Sequence, residues 1–272
     1  MDATLAIFWL IYLRFLDNID RMKVITAEYP EIFSIFQELH DGLLSNIMAK
    51  DRLIDIFLID DPPFIKGEFV KLTVIHEFVK LKLSHPLTVQ EDSTFTCTFE
   101  ISWVCPCCSH RKFNKSYDYR NRWEFSLRIG RTSLQESIDL YLTDSSNPRI
   151  CSNCHGQCTV SREVIRHPII LHLTFPIEIK VAIPNYLDKE INVKGVIYDI
   201  VGAVYSDRMH FISRYFLNGK VFEADGMKRH HTSTENNIRR EALSEEIRGP
   251  YEESLAGNVG RRRITEAYYT RR

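Results

Sequence analysis

Two Cys-x-x-Cys pairs constrain this chain more than any other feature: Cys105/Cys108 in WVCPCCSH and Cys151/Cys154 in RICSNCHG. A tight knuckle with this spacing lets two thiolates grip one metal ion, and two knuckles supply the four sulfurs of a closed tetrahedral zinc site. The 42 residues between the pairs exceed the gap of a simple zinc finger, so intervening structure must bring the knuckles together. The expected cofactor is therefore a structural zinc held by Cys105, Cys108, Cys151 and Cys154, as a staple inside a larger fold. Cys107 and Cys158 sit within the same clusters, as spare thiols or alternative ligands. Clustered cysteines without a secretory signal read as metal binding in a reducing, intracellular compartment, cytoplasmic or nuclear, and not as a disulfide framework.

At 272 residues the chain can bury a substantial core, and 44% hydrophobic with 26% charged content is ordinary for a globular protein. A formal net charge of -1 gives no bulk attraction for nucleic acid or an anionic membrane. The apolar N-terminus is cut by Arg14, too early to span a bilayer, and reads as a buried core helix.

Residues 2–60 carry apolar positions at helical spacing, and Pro62-Pro63 ends that region. FVKLTVIHEFVKLKL favours helix weakly over strand. From Phe95 the texture changes: FTCTFEISWV alternates as a strand and runs into the first knuckle, and Trp123 to Ile129 is a further strand-like run. Ser133-Leu-Gln-Glu is a capping box opening the helix SLQESIDLYL. VSREVIRH, PIILHLTF, KGVIYDIVGAVY, MHFISRYF and KVFEA read as strands, the last two joined by the hairpin signal Asn218-Gly219. Residues 228–272 are charged and include Arg261-Arg262-Arg263; they read as a flexible tail, partly helical around EALSEEI. The order of helices, zinc ribbon and antiparallel sheet is an α+β arrangement.

Hairpin pairing across Asn218-Gly219 brings His210, at the start of one strand, toward Asp225, at the end of the next. A carboxylate that receives an imidazole N–H fixes the tautomer and aims the other ring nitrogen at a nucleophile. No G-x-S-x-G, H-E-x-x-H or phosphate-binding glycine loop is present. Cys97 lies inside a strand, and a metal-bound thiolate is not available for attack, so the cysteines are poor nucleophiles.

In this order the elements resemble the ubiquitin-specific protease family. The match runs through the first Cys pair, the SLQESIDLYL helix, the second pair, the strand from Pro168 to Phe175 (here P-x-x-L-x-L-x-F), His210-Phe211, and Phe222 with Asp225. The resemblance covers about residues 1–227 and implies a papain-like, hand-shaped protease fold: a helical thumb over about 1–90, zinc-ribbon fingers over about 95–165 and a palm sheet over about 166–227. It implies hydrolysis of the bond after ubiquitin's C-terminal glycine, with His210 as base, Asp225 as its orienter, and ubiquitin or a ubiquitin-conjugated protein as partner. Met209 departs from the glycine usual in the family. Asp2-Ala3-Thr4-Leu5 resembles the stretch that follows the family's nucleophilic cysteine, which would fall about two residues before Met1. The expectation is thus a deubiquitinase-like chain inactive as written, or a ubiquitin-binding pseudoprotease. A zinc-ribbon module for nucleic acid would need more base than His110-Arg111-Lys112, Arg120 and Arg122 offer against Asp118, Glu124 and Asp139.

Overall fold

The computed structural model of the chain describes residues 2–58, 93–95, 97–118, 123–124, 133–143, 149–175, 183–207, 210–225 and 243–272. The helical expectation holds at the N-terminus, with α1 (Asp2–Phe15), α2 (Ile19–Glu28), α3 (Pro30–His40) and α4 (Asn46–Leu58). Asn18 caps α2 by accepting from the Arg21 N–H, and Pro30 stands in the first turn of α3, where its missing N–H costs nothing. Ile32, Phe33, Ile35 and Phe36 of α3 bury their side chains with Ile7, Phe8, Ile11, Tyr12 and Phe15 of α1. FVKLTVIHEFVKLKL lies outside the described residues. Among the described residues no helix is long and apolar enough to cross a membrane.

The cysteine pairs lie on a four-stranded sheet of order β2-β1-β5-β4, made of β1 (Cys97–Val104), β2 (Arg111–Asp118), β4 (Arg149–Ile150) and β5 (Gln157–Arg166). A nine-stranded sheet follows the order β11-β10-β9-β8-β13-β6-β3, with β7 paired to β8 and β12 to β13. Its strands are β3 (Trp123–Glu124), β6 (Ile170–Thr174), β7 (Glu190–Val193), β8 (Val196–Ser206), β9 (Phe211–Leu217), β10 (Lys220–Asp225), β11 (Leu243–Ile247), β12 (Asn258–Val259) and β13 (Arg262–Arg271). Among the described strands of this sheet, only the short β3 pairs in parallel. Of the run expected from Trp123 to Ile129, residues 125–129 lie outside the described ones.

Both faces of this sheet are covered. Alternation along β6 sends Ile170 to the helical side, where it packs with Phe8, Tyr29 and Tyr268, and Leu171 and Leu173 to the other. There Leu134, Ile138 and Leu142 of α5 (Leu134–Thr143) pack with Tyr198, Ile200, Tyr205 and Tyr269. Of the capping box at the start of α5, the Glu136 N–H reaches Ser133 Oγ at a long 3.4 Å. A residue 54 positions away completes the cap: Asp188 Oδ2 accepts from the Leu134 N–H at 3.1 Å and the Gln135 N–H at 3.2 Å.

The C-terminal expectation needs correction. Residues 243–272 are no tail. EALSEEI contributes the edge strand β11, Tyr251–Ser254 form a short helix, α6, and β13 occupies the interior of the large sheet between β8 and β6. Every residue from Ile264 to Thr270 is buried. The arginine run that suggested a solvated tail falls at the mouth of this strand, where Arg262 approaches Asp207 at 3.9 Å. The AYYT segment behind it carries the strand preference, which the flanking charges obscured.

Candidate functional site

The first cluster is the metal centre. β1 delivers Cys105 into a knuckle closed by Cys105 N–H to His110 C=O at 2.9 Å and Ser109 N–H to Cys105 C=O at 2.8 Å. The second knuckle repeats the pattern, with Cys151 N–H to Gly156 C=O at 2.8 Å and His155 N–H to Cys151 C=O at 3.0 Å. Ser109 and His155, four residues after the leading cysteine of each knuckle, both take the left-handed conformation at φ 57. Antiparallel pairing of β1 with β5 sets the knuckles side by side, as in Val104 opposite Thr159.

The four sulfurs of Cys105, Cys108, Cys151 and Cys154 all lie within 4.8 Å of one another. Cys105 and Cys154 are 3.3 Å apart, and Cys108 and Cys151 are 3.7 Å apart. Zinc–sulfur bonds of ~2.3 Å in a tetrahedron require sulfur separations of about 3.8 Å, so the set fits zinc with little rearrangement. The N–H groups of Cys154 and Asn153 point at Cys151 and hold its thiol down at about 6, favouring the thiolate a metal needs.

The second cluster lies at one end of the large sheet. Asn218 at φ 51 and Gly219 at φ 79 give the β9–β10 hairpin two consecutive left-handed residues, the geometry of a type I′ turn. The resulting register pairs Leu217 with Lys220 and Ser213 with Ala224. It places Asp225 and His210 on one face as diagonal neighbours, a separation that side chains bridge. His210 Nε2 lies 2.8 Å from Asp225 Oδ1, with both side chains largely buried. The ring N–H is not yet in line with the carboxylate, so the pair makes a close polar contact short of an aligned hydrogen bond. With Nε2 committed to Asp225, Nδ1 is the nitrogen left to serve a reacting group.

Asp207 supports this site from the loop before His210. Its Oδ1 accepts from the His210 N–H at 2.9 Å, closing the loop between β8 and β9. An Asp that opens a turn and bonds the backbone beyond it is the local signal that could have revealed this role.

The helix α1 runs across β8, β9 and β10 toward the same end of the sheet. Near its C-terminus Arg14 reaches the Ile200 carbonyl at 3.2 Å, and one and a half turns earlier Phe8 packs on Tyr268, which pairs with Gly202. The helix is about 20 Å long, similar to the span of β8 from Ile200 to Ser206. Its N-terminus therefore points toward the end of the sheet where His210 and Asp225 meet. None of the seven cysteines lies there. Six of them, Cys107 beside Gly156 included, belong to the ribbon, while Cys97 packs with Tyr198 at the far end of β8.

No protein-family model matches the sequence, and no curated protein matches it. Solved structures do match. A chain of the SAGA Ubp8/Sgf11/Sus1/Sgf73 DUB module, with a substituted Ubp8 and a shortened Sgf11, aligns over 100% of this chain and 66% of its own at TM-score 0.53 and 13% identity. The same module bound to ubiquitin aldehyde aligns over 74% and 47% at TM-score 0.43 and 16% identity. The yeast SAGA DUB module with a Sgf73 variant aligns over 66% and 41% at TM-score 0.42 and 16% identity. The chain thus spans between 41% and 66% of the length of these structures. At 13% identity the full-length alignment shows the fold alone: this chain shares the α+β fold of a DUB-module subunit.

Proposed function

We propose that this chain is a ubiquitin-binding protein of the ubiquitin-specific protease kind, with His210 and Asp225 as the base and orienter of a thiol hydrolase site. The observation that carries the reading is the 2.8 Å contact between His210 and Asp225 at the sheet end faced by the N-terminus of α1. The positive end of that helix would favour a thiolate presented there, and Nδ1 of His210 is the nitrogen free to exchange its proton. In such a site the thiolate adds to the carbonyl of ubiquitin's C-terminal glycine, and His210 protonates the departing amine. It then takes a proton from the water that releases the acyl group. Asp225 keeps the imidazole upright and stabilises its charged form. The likeness of fold to a chain of a DUB module supports the ubiquitin-protease-like reading, with ubiquitin as the partner it implies.

The thiol itself is not among the cysteines of residues 1–272, all of which lie elsewhere. That observation favours a second reading, a ubiquitin-binding protein without hydrolysis. Titration of isotope-labelled ubiquitin with the zinc-loaded chain tests the binding common to both; saturable shifts on ubiquitin are expected, and their absence at millimolar protein refutes the proposal. An electrophilic ubiquitin probe separates the two. Residues 1–272 should give no adduct. A chain extended at its N-terminus by a cysteine-bearing turn should give one that His210→Ala abolishes.

A further inference from the structure

The helix α1 is apolar on every side: LAIFWLIYL, from Leu5 to Leu13, offers no polar face between Thr4 and Arg14. Burying such a helix does not by itself choose its rotation or its register along the sheet. Arg14 anchors the C-terminal end at the Ile200 carbonyl. Nearer the N-terminus the fixing contact is Phe8, held edge-on between two rings, Phe95 at 5.9 Å and 88° and Tyr268 at 5.6 Å and 71°.

Tyr268 is itself held by a buried polar constellation that the proposed chemistry leaves unused. His172 lies directly opposite it on β6, and the two rings stack at 4.4 Å and 7°. The Tyr268 hydroxyl donates to Glu266 Oε2 at 2.6 Å, the short range of a bond to a carboxylate. The other carboxylate oxygen, Oε1, stands 3.5 Å from His172 Nε2. All three residues are 5% exposed or less. A carboxylate buried between a phenol and an imidazole is costly to displace, so hydrogen bonding as well as packing sets the ring's position. Glu266 pairs with Val204, two residues before β8 ends at Ser206 beside the His210 loop.

We propose that His172, Glu266 and Tyr268 are positioning residues: they lock the Tyr268 ring, and through Phe8 that ring sets where α1 presents its N-terminus to His210. The purpose of the lock rests on the thiol-site reading; the lock itself does not.

Hydrogen exchange in zinc-loaded residues 1–272 tests the lock. Tyr268→Phe keeps the ring and removes its tie to Glu266. It should speed exchange in α1 at least about ten-fold while β6, β8 and β13 keep wild-type protection. Unchanged exchange in α1, or an equal rise in the sheet, overturns the proposal. Phe8→Leu should act the same way, and it decides if Tyr268→Phe does not fold. The chain extended by a cysteine-bearing turn reads the consequence. There Glu266→Ala should slow adduct formation with the electrophilic ubiquitin probe at least about ten-fold, with ubiquitin affinity unchanged. Glu266→Gln, which can still accept from Tyr268, should restore most of that rate. Equal rates in Glu266→Ala and wild type refute the positioning role. No adduct from the extended wild type refutes the thiol-site reading instead, and exchange in α1 then judges the lock alone.

Discussion

The cap on α5 offers a stability prediction whose size follows from the structure. Asp188 Oδ2 accepts the first two backbone N–H groups of the helix, at 3.1 and 3.2 Å, while Ser133 holds the third more loosely at 3.4 Å. Asp188→Ala exposes two donors and removes a carboxylate from the positive end of a helix. Loss of a side-chain cap costs about 1–2 kcal/mol, and loss of the charge a further ~0.5 kcal/mol, giving about 1.5–2.5 kcal/mol. Asp188→Asn keeps an acceptor and should recover more than half of that. The backbone carbonyl of Asp188 accepts from Tyr269 Oη at 2.9 Å and is untouched by either change, which isolates the side chain. Urea unfolding with zinc buffered reads the difference directly, and the melting point should fall by roughly 3–8 °C. If Asp188→Ala lies within ~0.3 kcal/mol of wild type, as surface changes do, the long-range cap is not what holds the helix.

Further outcomes follow from other sites. The chain should carry about one zinc, and its removal should raise hydrogen exchange in β1, β2, β4 and β5 well before the large sheet; equal loss in both would refute a local role for the metal. In Gly202→Ala the new Cβ would sit 2.6 Å from the Arg214 carbonyl oxygen and 3.0 Å from Tyr215 Cα, so the β8–β9 pairing must shift. A loss of about 2–3 kcal/mol is expected in denaturant titration, and a neutral result would contradict the close approach. Burial holds the Glu28 carboxyl above its ordinary value, with the Thr94 N–H only partly offsetting it. The folded state then binds that proton more tightly than the unfolded one, so its contribution is intact below the ordinary carboxylate value and is lost as pH rises through the raised one. Glu28→Gln should therefore be more stable than wild type at pH 7 and match it near pH 4 in thermal melts; the reverse order would show that the shift has the wrong sign.

Local chemistry made much of this molecule legible. The two knuckles announce themselves because metal ligation fixes residue type and spacing together, and both close with the same hydrogen bonds. The β9–β10 hairpin is readable because Asn218-Gly219 is one of few dipeptides content with two left-handed conformations in a row. That turn sets the register, and the register brings His210 to Asp225. The strand β13 was not legible, for the opposite reason. Nothing within RRRITEAYYTRR says that its seven residues from Ile264 to Thr270 will be buried, with Glu266 fully enclosed. That burial comes from β6 and β8, whose residues lie far upstream in the sequence. Asp188 was missed likewise, since a cap acting across 54 positions leaves no local trace.

The place of β13 also dictates when this protein can fold. Among the described residues β6 and β8 do not bond to each other; each bonds to β13, which follows both in the chain. Until residues 262–271 emerge, both present open edges, and the large sheet exists as two unjoined halves. Such edges are the surfaces through which nascent chains stick to one another. The α1–α3 helical layer and the ribbon can form earlier in synthesis, but closure of the sheet beneath His210 and Asp225 must wait for residues 262–271. A nick before Arg262 would thus leave the helical layer and the ribbon beside a sheet split into two open-edged halves.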